Sequence, residues 1–557
     1  MPAIPKTRSD RAKGEIMTIK PAHAKARRRE APMTIWTSRQ QMGWAAVIMG
    51  GSVLLSRFAG LIRDKVISYT FGATLESDIY FAAFVIPDFI NYLLAGAYFS
   101  ITLIPLLAER FQADQEDGWR FFSAIVTWVG LAAAVLTGAA MIAAPSLAQL
   151  AAPGLGPEGW LRLAAFLRIV LPAQVCFLLG SCFTALLYME KQFLVPALSP
   201  LIYNGFIIAG GLLLKNRGME GFCWGVLGGA LLGNLALPWL AARQAPGFRV
   251  RIVFRDPGLK RFFRLALPLM IGQSIVVLDE QLIRVFGSLA GSGAISRLNY
   301  ARRIMLVPVG VVAQAAGVAS YPFLAERIAR GDRQGFDQTL NAALRNTLAM
   351  IVPISVWMAI AAKPTILLIF QQGRFAATDT AGSAWLLVIF LGAVGAWAVQ
   401  QIIGRGFYAL QDTVTPAVIG TLTTLAALPV YYLASRAWQA AGVALASALA
   451  VTLYALALGL RWKSRHGAAA FTGLGRDLAR VLALSTAAAL GCVPVLYLLP
   501  IDPNGAPYLR AFAQMVAGAA VFGSIVVAAG LRFCPDLLQP FVDKVRRRPR
   551  PSGQTPT

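Results

Sequence analysis

Runs of about 20 mostly apolar residues, parted by short polar loops, recur from residue 44 to residue 532. Wound as a helix at about 1.5 Å per residue, such a run spans the roughly 30 Å hydrocarbon layer of a bilayer. The runs predict helices over 44–72, 78–108, 121–147, 161–188, 194–214, 221–241, 264–288, 297–325, 340–362, 381–408, 414–434, 439–461, 477–499 and 510–532. Pro87, Asp88, Asn91 and Gly96 interrupt the second. Ten-residue segments of strict alternation, the mark of a membrane β-barrel, are not visible. The expected fold class is an all-α polytopic membrane protein with about 14 transmembrane helices.

The loops set an expected orientation. "RQAPGFRVRIVFRDPGLKRFFR" (243–264) holds seven basic residues and one acid, and "RWKSRHG" (461–467) is also basic. The loops "SLAQLAAPGLGPEGW" (146–160), "GSLAGSGAIS" (287–296) and "IDPNGAPY" (501–508) have no Lys or Arg. By the positive-inside rule the first set faces the cytoplasm, and an even span number puts both termini there. The loop "KNRGME" (215–220) is a mild exception. Residues 1–40, with ten Lys or Arg and no apolar core of a signal peptide, are expected to be a disordered basic cytosolic tail. Residues 536–557, containing "KVRRRPR", are expected to form a second basic tail.

Composition agrees with a membrane protein. Of 557 residues 57% are hydrophobic and 14% charged, against about 25% charged in soluble domains. The net charge of +25 would suit nucleic acid. Its placement at the ends and in a few loops serves topology instead, and no nucleic-acid partner is expected. Cys176, Cys182, Cys223, Cys492 and Cys534 form no CxxC pair, and His23 and His466 lie outside the apolar runs. Neither a metal site nor a disulfide framework is implied.

An internal repeat is visible. "PLLAERF" (105–111) returns as "PFLAERI" (322–328), and "YMEKQFLVP" (188–196) as "YALQDTVTP" (408–416), at offsets of 217 and 220 residues. The two copies predict a six-helix lobe over 41–250 and another over 251–465, entering the membrane in the same sense. Substrate is then expected between them near the midplane. Two further helices, within 466–535, fall outside the repeat.

"SRFAGLIRDKVISYTFGATLESDIYFAAF" (56–84) places Arg57, Arg63, Asp64, Lys65 and Asp78 in or beside the first apolar runs. A cation at the bilayer centre costs about 2.5–3.5 kcal/mol on insertion scales, so such residues face a cavity or a partner. Arg57 and Arg63 lie roughly 120° apart around a helix. "VVLDEQLIRVFG" (276–287) and "NYARRIMLVP" (299–308) add Asp279, Glu280, Arg284, Arg302 and Arg303. Arg110, Glu326 and Arg327, near helix ends, are expected to snorkel or pair locally. The arginine fork suits phosphate oxygens, and an anionic amphipathic lipid fits a charged cavity with apolar flanks. Transport of another anion fits nearly as well.

The motifs "SRFAGLIRD", "FGATLESDIYFAAF", "FSITLIPLLAERF", "SYPFLAERIARGD", "LIFQQGRF" and "GFYALQDTVTP" closely resemble the MurJ (MviN) lipid II flippases, within the multidrug/oligosaccharidyl-lipid/polysaccharide exporter superfamily. The resemblance covers about residues 42–535. It implies two six-helix lobes in a V, two C-terminal helices forming a lipid groove, and alternating access. It implies movement of lipid II, the undecaprenyl-diphosphate-linked peptidoglycan precursor, to the outer leaflet of the bacterial cytoplasmic membrane. Arg57, Arg63 and Arg303 match the family's functional arginines, and Asp64 and Asp78 its aspartates. Arg57, Arg63, Arg303 and Arg302 are therefore the expected substrate-binding residues, with Asp64 and Asp78 as ion-pair and gating residues.

The sequence departs from the family in two places. "PDFINYLLAGAYFS" (87–100) carries Asn91, Tyr92 and Gly96 where the family has two arginines and a glutamate. Arg302 stands where the family has an aspartate, and is expected to replace some of the missing charge. These departures keep open a paralogue that flips another polyprenyl-diphosphate-linked oligosaccharide. A membrane glycosyltransferase needs acidic clusters that the non-cytoplasmic loops lack, and "LAERFQADQEDGWR" (107–120) lacks the D-R-x-G-R-R pattern of major facilitators. No enzyme activity and no cofactor are expected, and the chain is expected to be a monomer. Na⁺, H⁺ and the membrane potential all stay open as driving forces.

Overall fold

The computed structural model describes residues 42–95, 98–274, 278–500, 507–533 and 535. The two expected basic tails and Gly96 lie outside them. Every regular element among the described residues is helical. The first half comprises α1 (Met42–Phe71), α2 (Leu75–Ala82), α3 (Val85–Ala95), α4 (Tyr98–Ala113), α5 (Gln115–Ile142), α6 (Ala144–Ala151), α7 (Gly156–Val170), α8 (Ala173–Met189), α9 (Leu194–Leu213), α10 (Glu220–Gly229) and α11 (Leu237–Ala242). The second comprises α12 (Gly258–Ser274), α13 (Leu278–Gly287), α14 (Ala294–Pro308), α15 (Ala315–Ala329), α16 (Arg333–Ile360), α17 (Ala362–Phe370), α18 (Ala377–Gly392), α19 (Val394–Ala409) and α20 (Val414–His466). Then follow α21 (Leu474–Gly491), α22 (Val493–Leu498) and α23 (Pro507–Phe533).

Nine helical stretches among the described residues are long and apolar enough to cross a bilayer, or ten if α18 and α19, bent by 41°, form one span. The protein is thus an all-α polytopic membrane protein, but this count does not reach the expected fourteen. One of the nine, α20, has 53 residues and non-helical backbone at Trp438 and Gln439, which divides it where two spans were expected. Elsewhere proline fragments the runs. Pro87 has no N–H to offer and its ring crowds the carbonyl four residues back, at Ala83. The expected helix 78–108 accordingly breaks between α2 and α3.

The repeated motifs share local backbone structure. Both 28-residue helices α5 and α16 start at an aspartate N-cap. Asp114 accepts from the Asp117 N–H at 3.1 Å, and Asp332 from the Gly335 N–H at 2.8 Å. After α8 and after α19 the chain turns through a left-handed residue, Lys191 at φ 59° and Gln411 at φ 60°. In each turn the N–H of the next residue bonds a carbonyl five back, Gln192 to Leu187 and Asp412 to Phe407. Arg110 and Arg327 end in local ion pairs with Asp117 and Asp332.

Helices of each half pack chiefly on one another. In the first, α1 lies on α9, α9 on α10, and α8 on α4 and α5; in the second, α14 lies on α18, α13 on α20 and α19 on α16. α9 and α10 touch backbone to backbone, since a Cβ on Gly210 would fall 2.6 Å from the Gly225 Cα. α12 crosses to the first half and packs on α3 and α4. α21 and α23 pack together, α21 against α16 and α23 against α17, with the Trp357 and Phe522 rings 5.7 Å apart. Of the five cysteines, the four among the described residues are buried and free.

Candidate substrate-binding interface

The charged residues of α1 meet those of α14 between the two halves. Asp64 is fully buried. One of its oxygens accepts from Arg63 Nε at 3.0 Å and Nη2 at 2.8 Å, the other from Arg303 Nε at 2.7 Å. Arg63 Nη1 goes on to the Asn204 side-chain oxygen on α9 at 3.1 Å. The carboxylate thus serves one cation from each half. Arg303 spends only Nε on it: Nη1 and Nη2 have no protein partner among the described residues, and the side chain is 37% exposed. A guanidinium edge with two unspent donors is the shape that binds two phosphate oxygens together.

Arg57 lies six residues before Arg63, about 9 Å along the helix, and has different partners. It donates to the Gln314 side-chain oxygen at 2.8 Å. Its guanidinium lies across Gly310, where no Cβ would fit. Gly310 and Gln314 belong to a π-helical segment, Val309–Gln314, that follows Pro308. Widening the helix there brings a bare backbone and an amide to α1.

Arg302 points elsewhere. Successive helical residues are about 100° apart, so with Arg303 at the interface Arg302 turns into the second half. It donates to Asp279 at 2.8 Å and stands over the Trp397 ring. Asp279 also accepts from Tyr431 at 2.6 Å and Ser447 at 3.2 Å.

Asp78 closes one end of the interface. It accepts from the backbone N–H of Gly293 at 2.6 Å, and from the N–H and hydroxyl of Ser296 at 2.7 and 2.5 Å. An aspartate of the first half therefore caps α14 of the second. At the same end the Arg374 N–H donates to the Tyr69 carbonyl at 2.9 Å and the Gly154 N–H to the Ser288 hydroxyl at 3.0 Å. Gly72, at φ 66°, leaves room for none of this to shift, because a Cβ there would meet the Arg374 carbonyl oxygen at 2.5 Å. Gly72→Ala is expected to destabilise the protein by about 1–3 kcal/mol, measured as thermal unfolding in detergent. An unchanged melting temperature would show that this end does not hold shut.

The family model described as "Lipid II flippase MurJ" matches residues 67–507. The chain belongs to this family. The probable lipid II flippase MurJ of Rhizobium meliloti is 29% identical over 435 residues, 75% of this chain and 80% of its own length. The lipid II flippase MurJ of Burkholderia cenocepacia is 29% identical over 386 residues, 67% of this chain and 75% of its own length. A solved lipid II flippase MurJ in an inward closed conformation superposes with a TM-score of 0.74 at 22% identity, over 88% of this chain and all of that one. An inward-facing MATE family multidrug resistance transporter of the MOP superfamily superposes at 0.61 and 15% identity, over 77% of this chain and 99% of its own.

In this MurJ-family chain the interface holds residues that the sequence reading did not single out. Asn204 and Gln314 are polar residues in otherwise apolar runs, and that isolation is the signal that would have found them. Asp88 of α3 stood out only as an interruption of a helix. It accepts from Arg284 of α13 at 2.8 Å, and Arg284 also donates to Glu280 at 2.6 Å.

Proposed function

We propose that this chain moves lipid II from the inner to the outer leaflet of the bacterial cytoplasmic membrane by alternating access. The observation that carries it is the triad Arg63–Asp64–Arg303, set between two halves of one chain around a buried Asp64, with the outer edge of Arg303 unspent. Arg63, Arg303 and Arg57 bind the diphosphate. Asp64 orients both members of the triad, and Asp78 locks the outer gate. Arg302, held by Asp279, keeps α13, α14 and α20 together and acts on the substrate indirectly. All three ligands come from one chain, so a monomer is sufficient.

The basic loops support an orientation with the Asp78 end outside and both termini in the cytoplasm. The polyprenyl tail stays in lipid along the C-terminal helices. An apolar cavity of about 800 Å³ between α16, α19, α20 and α21, lined by Leu348, Val352, Val399, Leu456 and Leu478, supports that path. The membrane potential suits the charge of the cargo: each negative charge moved outward through 100 mV of inside-negative potential gains about 2.3 kcal/mol.

The test is complementation. Cells depleted of their own lipid II flippase and expressing this chain are expected to regain lipid II on the outer face of the membrane. Good expression without rescue would overturn lipid II as the cargo. It would favour a paralogue for another diphosphate-linked oligosaccharide, the reading that Asn91 and Tyr92 in place of the family's arginines support.

A further inference from the structure

Glu280 occupies an unusual place. Its carboxylate accepts from Arg284 Nη2 at 2.6 Å, and α13 packs against α14, the helix that carries Arg302 and Arg303. The Glu280 side chain is 32% exposed. Its neighbour Asp279 faces the other way, into the contacts with Tyr431 and Ser447. Arg284 has a second anionic partner, Asp88, and this one is mounted on the opposite half. Gln281 donates to Asp88 at 3.3 Å and accepts from Arg284 at 3.1 Å, completing the bridge.

Arg57 pairs here with the neutral Gln314, but the other cations have carboxylates nearby. Arg63, Arg303, Arg302 and Arg284 are matched by Asp64, Asp279, Glu280 and Asp88. An incoming anion therefore finds Arg284 already occupied by the protein's own carboxylates, whereas Arg57 and the outer edge of Arg303 are not. Asp88 leaves Arg284 when the halves separate, because the two are carried by different halves. Glu280 sits on the same helix as Arg284 at i, i+4, on a side chain with free rotation about three bonds, and leaves by swinging out. What remains is a guanidinium with Nη1 and Nη2 released for phosphate oxygens.

We propose that the Glu280 carboxylate marks a phosphate subsite, and that Arg284 is a further substrate ligand which takes one phosphate of the lipid diphosphate in exchange for Asp88 and Glu280. This rests on the diphosphate reading of the Arg63–Asp64–Arg303 triad. It puts a cation from α13 beside α3, the helix that carries Asn91 and Tyr92. It also makes ligand binding compete with an ion pair that ties the two halves together, so occupancy itself releases one latch.

The test is equilibrium binding of undecaprenyl diphosphate and undecaprenyl monophosphate to the full chain in lipid nanodiscs. Glu280→Gln keeps the volume and removes the competing charge, and is expected to tighten diphosphate binding about tenfold or more. Arg284→Ala is expected to weaken it by about tenfold to a hundredfold, the worth of one charge-assisted hydrogen bond. It should also erase the preference for diphosphate over monophosphate. Arg284→Lys, a point charge without the fork, restores only part. Unchanged affinity in Glu280→Gln overturns the subsite, even where Arg284→Ala fails to fold. So does unchanged affinity in a folded Arg284→Ala protein while Arg303→Ala abolishes binding, a result that leaves the triad reading intact. Wild-type binding in Arg303→Ala as well would overturn the triad reading and the subsite together.

Discussion

Asp64→Ala loses both stability and transport, whereas Arg303→Ala loses transport with most of its stability kept. These are the expected results, and the contrast between them separates the structural from the ligand-binding part of the triad. Asp64 has no exposed surface and holds two guanidinium groups, one from each half. Removing it leaves Arg63, 16% exposed, with Asn204 as its remaining partner among the described residues, and strips Arg303 of the one partner it has among them. Breaking a buried ion pair from one side costs about 3–5 kcal/mol, because the abandoned charge stays out of water. Arg303 is more than a third exposed, and its truncation leaves Asp64 still paired with Arg63. Its effect on stability is expected to be about 1 kcal/mol or less. Asp64→Asn falls between the two: its amide oxygen still accepts from Arg63, but its NH₂ faces Arg303 donor to donor. Thermal unfolding in detergent and exposure of lipid II at the cell surface, read on the same variants, decide the matter. An Asp64→Ala protein that melts like the wild type would mean that the triad does not bind the halves together.

How far the sequence showed this site depends on the residue. Charges in apolar runs are expensive, so Arg57, Arg63, Asp64 and Arg303 stood out before any contact was known. What the sequence left hidden were their partners, since Asp64 and Arg303 are 239 residues apart. Arg302 shows the opposite difficulty. It sits beside Arg303 and has the same charge, yet the helix turns it toward Asp279 and away from the interface. Adjacent residues of a helix point about 100° apart, so equal charge does not give them the same partners. The repeat was legible from two short motifs because each encodes a local structure, a helix end or a left-handed turn, that returns at Lys191 and Gln411. Span counting was less secure. The count of fourteen exceeds the nine or ten long apolar helices among the described residues, yet the interruption at Pro87 and the division of 414–461 into two runs were both legible, and the backbone breaks there.

The second large effect is expected at Asp78. Asp78→Ala removes three hydrogen bonds from the start of α14 at once, two of them from backbone N–H groups that have no partner in their own helix. Loss of an N-cap costs about 0.5–2 kcal/mol, and the negative charge at the positive end of the helix adds up to about 2 kcal/mol in a partly buried setting. Here the capping residue belongs to the opposite half, so that energy holds the two halves together and helix α14 is only its site of action. A loss of about 2–3 kcal/mol shifts a two-state equilibrium by roughly thirtyfold to a hundredfold toward the state open at this end. Spin labels at Thr74 and Ser292, both exposed and on opposite sides of the seam, are expected to report a longer distance in Asp78→Ala than in the wild type. Transport is expected to fall in step, because a transporter that rests open on one side seldom presents its site to the other. Asp78→Asn keeps one acceptor and is expected to move the distance part of the way. Labels that stay at the wild-type separation in Asp78→Ala would show that the remaining contacts, Tyr69 with Arg374 and Gly154 with Ser288, hold the end shut alone. Asp78 would then be a helix cap and no gate.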